Sequence, residues 1–301
     1  MRSPITKAVI PAAGFGTRML PFTKAVPKEL IPLVDKPVIQ YVVEEALASG
    51  LNDILLILSE GKEAVLNHFK NVPALEKRLR ESGKNELLEV IDPFGGKLKL
   101  SCVYQQELNG LGGAVRLAES FVKDEFFAVL LGDTVLGSGN GIPVTRQLID
   151  AHVRTGNSVV AVEKIPMEKI SSYGCVGGTK IAENLLQVTA MVEKPQPEEA
   201  PGEYAVASRY VLSPEIFRLL DDTVPGKNGE LQLTDAIKQL ILAQQLSACI
   251  ISGSRYDLGS KAGFIAANIE FAMQDPVLAQ QISNKLAAAH PELAASILKQ
   301  V

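Results

Sequence analysis

Short aliphatic and β-branched runs alternate with longer amphipathic stretches through the first half of the chain, and this rhythm restricts the fold more than any other feature. "KAVIPA" reads as a strand and is followed by a loop, then by "PVIQYVVEEALASG", which has a helical period and closes on Gly50. "DILLIL" is a second strand and "GKEAVLNHF" opens another helix. "KLSCVYQ", "GLGGAVRLAESF" and "FFAVLLGD" continue the alternation, and "SVVAVEKI" adds a further strand. Uninterrupted apolar runs such as "FFAVLL" suit strands covered on both faces. The expected class is α/β. After Pro166 the pieces shorten to "YGCVGG", "LLQVTAMVEKP" and "YAVASRYVL", which predicts antiparallel or mixed strands grafted onto the sheet. From Ser213 onward helical segments dominate, among them "TDAIKQLILAQQL", "KAGFIAANIEFAMQ" and "PVLAQQISNKLAAAH".

At 301 residues, 47% hydrophobic and 21% charged, the chain has the composition of a compact folded protein rather than a disordered one. No Gly-, Ser- or Pro-rich linker separates two independent domains. The formal net charge of -4 gives no general attraction to nucleic acid or to an anionic membrane, so any phosphate binding must be local. Cys102, Cys175 and Cys249 lie far apart without ligand spacing, which speaks against a disulfide framework or a zinc site. No stretch approaches the roughly 20 apolar residues of a membrane helix. These features together predict a cytoplasmic protein with neither nucleic acid nor membrane as partner.

The loop "AAGFGTR" after the first strand can expose backbone N–H groups to phosphate oxygens, or it can be a plain tight turn. It lacks the third glycine of a Rossmann loop and the GxxxxGK[ST] of a P-loop. Arg18 supplies a planar fork for phosphate and Lys28 a compact charge, and the loop between them, punctuated by Pro21 and Pro27, can fold Lys28 back over the same pocket. Asp133 falls just beyond the buried run "FFAVLL", at the strand edge where ligands of open α/β sheets collect, and a carboxylate there suits a magnesium ion. Asp257 in "RYDLGSKAGF" is either a similar ligand or the N-cap of the helix that follows. Glu193 and Lys194 end another strand, where their side chains diverge unless a turn reorients them. "GLGGAV" offers either packing glycines or a ligand-facing helix start.

Taken in order, "IPAAGFGTRMLPFTKAVPKELIPLVDKPVIQYVVEEA", "GLGGAV", "LLGD", "YGCV", "VEKP", "SRYVL", "GELQLTDAI" and "YDLGSKAGF" closely resemble the bacterial UTP:glucose-1-phosphate uridylyltransferases, over nearly the whole chain up to about Ala272. The resemblance implies a Rossmann-like nucleotidyltransferase fold with a mixed, mostly parallel sheet flanked by helices, small additional β elements and a helical C-terminal region. Residues 1–274 would form the nucleotidyltransferase domain, with a nucleotide-binding part over about 1–140 and a sugar-binding part over about 141–260. Residues 275–301 would form a tail for association into a homodimer or homotetramer. By the same resemblance, the backbone of Ala12, Ala13, Gly14 and Gly16 cradles the nucleotide, Arg18 holds the outgoing phosphates and Lys28 approaches the reacting one. Gln105 and Gly110 would meet uracil, Gly174 and Glu193 the glucose hydroxyls, and Lys194 the sugar phosphate. Mg²⁺ would be held by Asp133 and Asp257, with UTP and glucose 1-phosphate as substrates. The chain departs from the family's pattern at Gly113, where histidine is usual, at Thr134, where a second acid is usual, and at Ser208, where glycine is common. Competing readings are the same chemistry with dTTP or another hexose 1-phosphate, a catalytically weak regulatory paralogue, and a plain nucleotide- or sugar-binding module.

Overall fold

The computed structural model describes residues 5–226 and 229–289, apart from the side chain of Asp257. In chain order its elements are β1 (Lys7–Pro11), β2 (Pro32–Leu33), β3 (Lys36–Pro37), α1 (Val38–Ala48), β4 (Asp53–Leu58), α2 (Glu63–Asn67), α3 (Pro73–Glu81), α4 (Glu86–Ile91) and β5 (Lys99–Tyr104). Next come α5 (Gly110–Arg116), α6 (Glu119–Val122), β6 (Phe127–Leu130), β7 (Thr134–Ser138), α7 (Val144–Thr155), β8 (Ser158–Lys164), β9 (Gly174–Ala182), β10 (Leu185–Glu193) and β11 (Tyr204–Leu212). The chain closes with α8 (Glu215–Asp221), α9 (Leu233–Leu242), β12 (Leu246–Ile250), β13 (Gly253–Asp257), α10 (Lys261–Ala272) and α11 (Pro276–Ala289).

A nine-stranded sheet runs in the order β5-β4-β1-β6-β11-β8-β12-β10-β9. The expectation of a mostly parallel sheet needs correction. Pairing is parallel from β5 through β6 and between β8 and β12, but antiparallel at every other neighbouring pair. The cause is local. Only Glu183 and Asn184 separate β9 from β10, too short a link for a crossover helix, so the two must pair as a hairpin. β11 then enters between β6 and β8 running against both. The short extended pieces after Pro166 are therefore antiparallel additions to a sheet whose first half is parallel.

Both faces of the sheet's central strands are buried, as the apolar runs require. Val9, Val129 and Val160 point to one face, under Val115 of α5, Phe217 of α8 and Ile237 of α9. Ala8, Leu130 and Val159 point to the other, under Ile39 and Val43 of α1 and Leu148 of α7. Each buried aliphatic side chain contributes about 1.5–3 kcal/mol, which holds the strand ends in fixed places. A smaller cluster of Leu33, Val38, Val135 and Leu258, with Phe271 edge-on to Tyr41 and Tyr256, packs the ribbon of β2 and β3 and the ribbon of β7 and β13 against α1 and α10. Beside it the fully buried Arg209 pairs with Glu45 at 2.7 Å and donates to the Thr134 carbonyl at 2.9 Å. Glu45 also accepts from the Thr145 hydroxyl at 2.6 Å, so one carboxylate links α1, α7 and β11. No helix among the described residues is long and apolar enough to cross a membrane.

Candidate active site

β1 delivers the chain to the sheet's carboxyl edge, and the loop that follows lines a cleft of about 510 Å³. Ala12, Ala13, Gly14 and Gly16 form one wall, and Gln105 and Gly110 stand at another. The amides of Ala13, Gly14, Phe15 and Gly16 donate to no backbone or side-chain group among the described residues, which leaves a run of N–H groups for an anionic ligand. Gly16 has φ of +68°, and a Cβ there would lie 2.9 Å from the Lys28 Cβ, so this position excludes any other residue on two counts.

Lys28 reaches the cleft because Pro21 and Pro27 break the connection into short 3₁₀ turns, Thr17–Met19, Phe22–Lys24 and Lys28–Leu30, that return to the sheet edge. Its Nζ donates to Asp133 Oδ2 at 2.6 Å and lies 3.5 Å from where a Cβ on Gly14 would stand. Burial alone would lower the Lys28 pKa, but the Asp133 and Glu29 carboxylates outweigh it and hold the pKa above the ordinary 10.5. Asp133 sits in the turn between β6 and β7. Burial would raise its carboxyl, yet the Lys28 ammonium dominates and keeps it below 3.8, fully ionised at neutral pH. Arg18 adjoins these two across a small recess shared with Gly259, where a Cβ would stand only 2.8 Å from the guanidinium.

The residues expected at the sugar form a second cluster. Gly174 and Glu193 are paired across β9 and β10, and Glu193 accepts from the Thr234 hydroxyl at 3.0 Å. Thr234 lies two residues after Gln232, which lines the cleft beside the glycine loop. Lys194 takes φ of +45°, the turn that keeps its Nζ 3.7 Å from the Glu193 carboxylate instead of letting the two side chains diverge.

Asp257 ends β13 directly opposite Thr134, the first residue of the facing strand, which places its backbone one residue from the Asp133 turn. Its side chain lies outside the described residues. The alternative role as helix cap is already filled: Ser260 is the N-cap of α10, its hydroxyl accepting from the Gly263 amide at 3.1 Å. Ser208 lies in β11 between Val206, which adjoins Gly174, and Tyr210. It occupies the β11 bulge with φ of +60°, and its carbonyl accepts from the Leu131 amide at 3.2 Å.

The pair beneath the glycine loop, Glu29 and Lys62, was not singled out from the sequence. Lys62 Nζ donates to the Ala12 and Gly14 carbonyls, both at 2.6 Å, and to both oxygens of Glu29 at 2.9 and 2.8 Å. The side chains are 8% and 0% exposed. A trans peptide sets its N–H opposite its carbonyl, so tying down these two carbonyls turns the Ala13 and Phe15 amides the other way, into the cleft. Burial pushes the Glu29 carboxyl up and the Lys62 ammonium down, each opposed by the other's charge. The apolar flanks of Glu29 in "VPKELIP" were the one available signal.

A glycine-lined anion cleft, an ionised carboxylate at the strand edge and two flanking cations make a site for polyphosphate chemistry, and the comparisons say of which kind. A family model described as nucleotidyl transferase matches residues 7–274. The chain belongs to the nucleotidyl transferase family. A UTP--glucose-1-phosphate uridylyltransferase of Bacillus subtilis is 44% identical over 92% of this chain and 94% of the relative. A UTP-bound UGPase from Acinetobacter baumannii superimposes with a TM-score of 0.87 at 34% identity, over 94% of this chain and 98% of that one. A UDP-glucose pyrophosphorylase in complex with UDP-glucose gives 0.81 at 36% identity, over 90% of this chain and all of the other. Nucleotidyl transferases of this kind generally use a divalent metal. The donor set here fits one: Asp133 presents ionised oxygen ligands at the cleft, and the ladder of β7 and β13 brings the Asp257 backbone beside them.

Proposed function

We propose that this protein transfers the uridylyl group of UTP to glucose 1-phosphate. A phosphate oxygen of the sugar 1-phosphate bonds to the α-phosphorus, the bond to the β-phosphate bridging oxygen breaks, and pyrophosphate leaves in line. No enzyme nucleophile is required, because the obstacle is repulsion between two polyanions. What the chain supplies is position and positive charge. The observation that carries this reading is Lys28, held where the glycine loop, Asp133 and the Arg18 recess converge.

In this reading the Ala12 to Gly16 backbone receives the triphosphate, and Gln105 and Gly110 meet the base. Lys28 exchanges its Asp133 partner for the reacting phosphate, while Arg18 steadies the departing pyrophosphate. Glu193 and Gly174 hold the glucose hydroxyls, and Lys194 holds the sugar phosphate. Mg²⁺ would be held by Asp133 and Asp257, where it would shield the charge on the triphosphate. Both substrates are cytoplasmic metabolites, so the reading carries a cytoplasmic setting. Residues 1–274 would act as one catalytic domain, with α11, none of whose described side chains is buried, serving assembly into a homodimer or homotetramer.

Pyrophosphate release measured across UTP, dTTP, CTP and GTP, each with glucose, galactose or mannose 1-phosphate, tests the assignment. UTP with glucose 1-phosphate is expected to be fastest, EDTA to stop the reaction and Mg²⁺ to restore it. Absence of release from UTP and glucose 1-phosphate, or a clear preference for another pair, overturns the reading.

A further inference from the structure

We propose that Arg255 is a positioning residue for the sugar-phosphate corner of the site, clamping the Tyr173 ring and through it the turn that aims Lys194. The inference rests on the uridylyl-transfer reading of the cleft. In that reading the residues that hold the sugar, Gly174, Glu193 and Lys194, stand at the paired ends of β9 and β10 in the nine-stranded sheet, whereas Asp257 belongs to the separate ribbon of β7 and β13. In-line transfer needs a fixed spacing between these two parts, because a displacement of about 1 Å can cost on the order of 100-fold in rate. Arg255 lies two residues before Asp257 in β13 and reaches from the ribbon to the sheet.

The contacts form a continuous chain. The Arg255 side chain is 10% exposed, and its Nε donates to Glu163 Oε1 of β8 at 2.5 Å. With the guanidinium fixed there, its Cζ lies 3.8 Å from the centre of the Tyr173 ring, the distance of a cation stacked on an aromatic face. Tyr173 directly precedes Gly174, and its carbonyl accepts from the Lys194 amide at 3.1 Å. Lys194 has φ of +45°, a conformation that a residue other than glycine keeps only where its surroundings impose it. The bond to Tyr173 is one such constraint, so a shift of the Tyr173 ring is passed both to Gly174 and to the Lys194 turn.

The two ends of this chain are not equally secure without Arg255. β13 is paired with β7 at every residue from Gly253 to Asp257, so its own ladder holds the strand. Tyr173 lies between the 3₁₀ turn Met167–Ser172 and the first residue of β9, outside any strand ladder. Loss of the guanidinium should therefore fall on the sugar corner and leave the Asp257 strand in place.

The test is steady-state pyrophosphate release with glucose 1-phosphate, UTP and Mg²⁺ each varied in turn. Arg255→Leu should raise the KM for glucose 1-phosphate about tenfold while the KM for UTP moves by less than about twofold. Tyr173→Leu should give the same split, and the double variant should go no further than either single one. Tyr173→Phe keeps the ring and should recover most of the loss; Arg255→Lys keeps the charge without the planar stack and should recover part. A merely structural role would raise both Michaelis constants alike. That result, an unchanged KM for glucose 1-phosphate, or strict additivity of the two leucine variants overturns the assignment. So does a higher Mg²⁺ requirement in Arg255→Leu that Tyr173→Leu does not share, since Arg255 would then act on the Asp257 strand. If Arg255→Leu does not fold, Tyr173→Leu against Tyr173→Phe reads the same contact, and equal Michaelis constants in those two overturn it. Failure of the wild-type protein to turn over UTP would instead overturn the reading on which the inference rests.

Discussion

Replacing Lys62 by methionine separates the two things the buried pair does, holding the fold and shaping the glycine loop. The methionine keeps the bulk but removes every bond the ammonium makes, to the Ala12 and Gly14 carbonyls and to the Glu29 carboxylate. Glu29 is then a fully buried carboxylate without a cation in contact, and breaking a buried pair in this way costs about 3–5 kcal/mol. Set against a total stability of about 5–15 kcal/mol, the loss is plain in a urea titration followed by circular dichroism, as a lower midpoint at an unchanged slope. Its pH dependence has a definite sign. Burial already raises the Glu29 pKa above 4.5, and loss of Lys62 raises it further, so the folded state binds the proton more tightly than the unfolded one. The penalty is therefore smallest at acid pH and grows as pH rises from 4.5 through the folded-state value. Replacing both partners, as Lys62→Met with Glu29→Leu, removes the stranded charge and should return most of the stability. It should not return activity, because nothing then holds the two carbonyls down and the Ala13 and Phe15 amides lose their aim. A loss below about 1 kcal/mol in the single variant, the range of an exposed ion pair, refutes the energetic reasoning. Full turnover in the double variant refutes the link from the pair to the loop.

Lys28→Ala is expected to lower turnover by at least ~100-fold, the scale of losing one preorganised electrostatic donor, with Lys28→Arg recovering only part; near-normal turnover in the alanine variant removes Lys28 from the mechanism. Lys28→Ala also reverses a titration. In the wild type, Asp133 lies below 3.8 and its contribution to stability is lost as pH falls through the folded-state value, whereas without the ammonium burial prevails and raises it. The difference in urea midpoint between the two proteins should therefore narrow as pH falls through this range, and a widening difference contradicts the pairing. In Gly174→Ala the new Cβ would stand 3.1 Å from Glu193 Oε2 and 3.3 Å from Val206 Cγ2, so it should raise the KM for glucose 1-phosphate severalfold more than that for UTP. An equal rise for both substrates places Glu193 outside the sugar pocket.

What could be read from the sequence follows from how far each interaction reaches along the chain. "DILLIL" and "FFAVLLGD" became β4 and β6 with their terminal groups at the sheet edge, because an apolar run in a covered strand is a local pattern with one good outcome. The return of Lys28 to the cleft was legible for the same reason, since prolines act on their immediate neighbours. Strand direction was not. The reversal of β11 between β6 and β8 depends on pairing partners about 40 to 80 residues away, which no window of sequence contains. The same limit hid Lys62, 33 residues from Glu29 and 50 from Ala12, and Arg209, 164 residues from Glu45. Each looks like an ordinary surface charge until the fold removes it from water. These buried cations bond to the backbone that carries the site: Lys62 to the glycine loop, and Arg209 to Thr134, which joins the Asp133 turn to the Asp257 strand. The residues that face a ligand thus lie in short motifs. The residues that aim them are scattered, because their task is to tie together segments that the chain itself keeps apart.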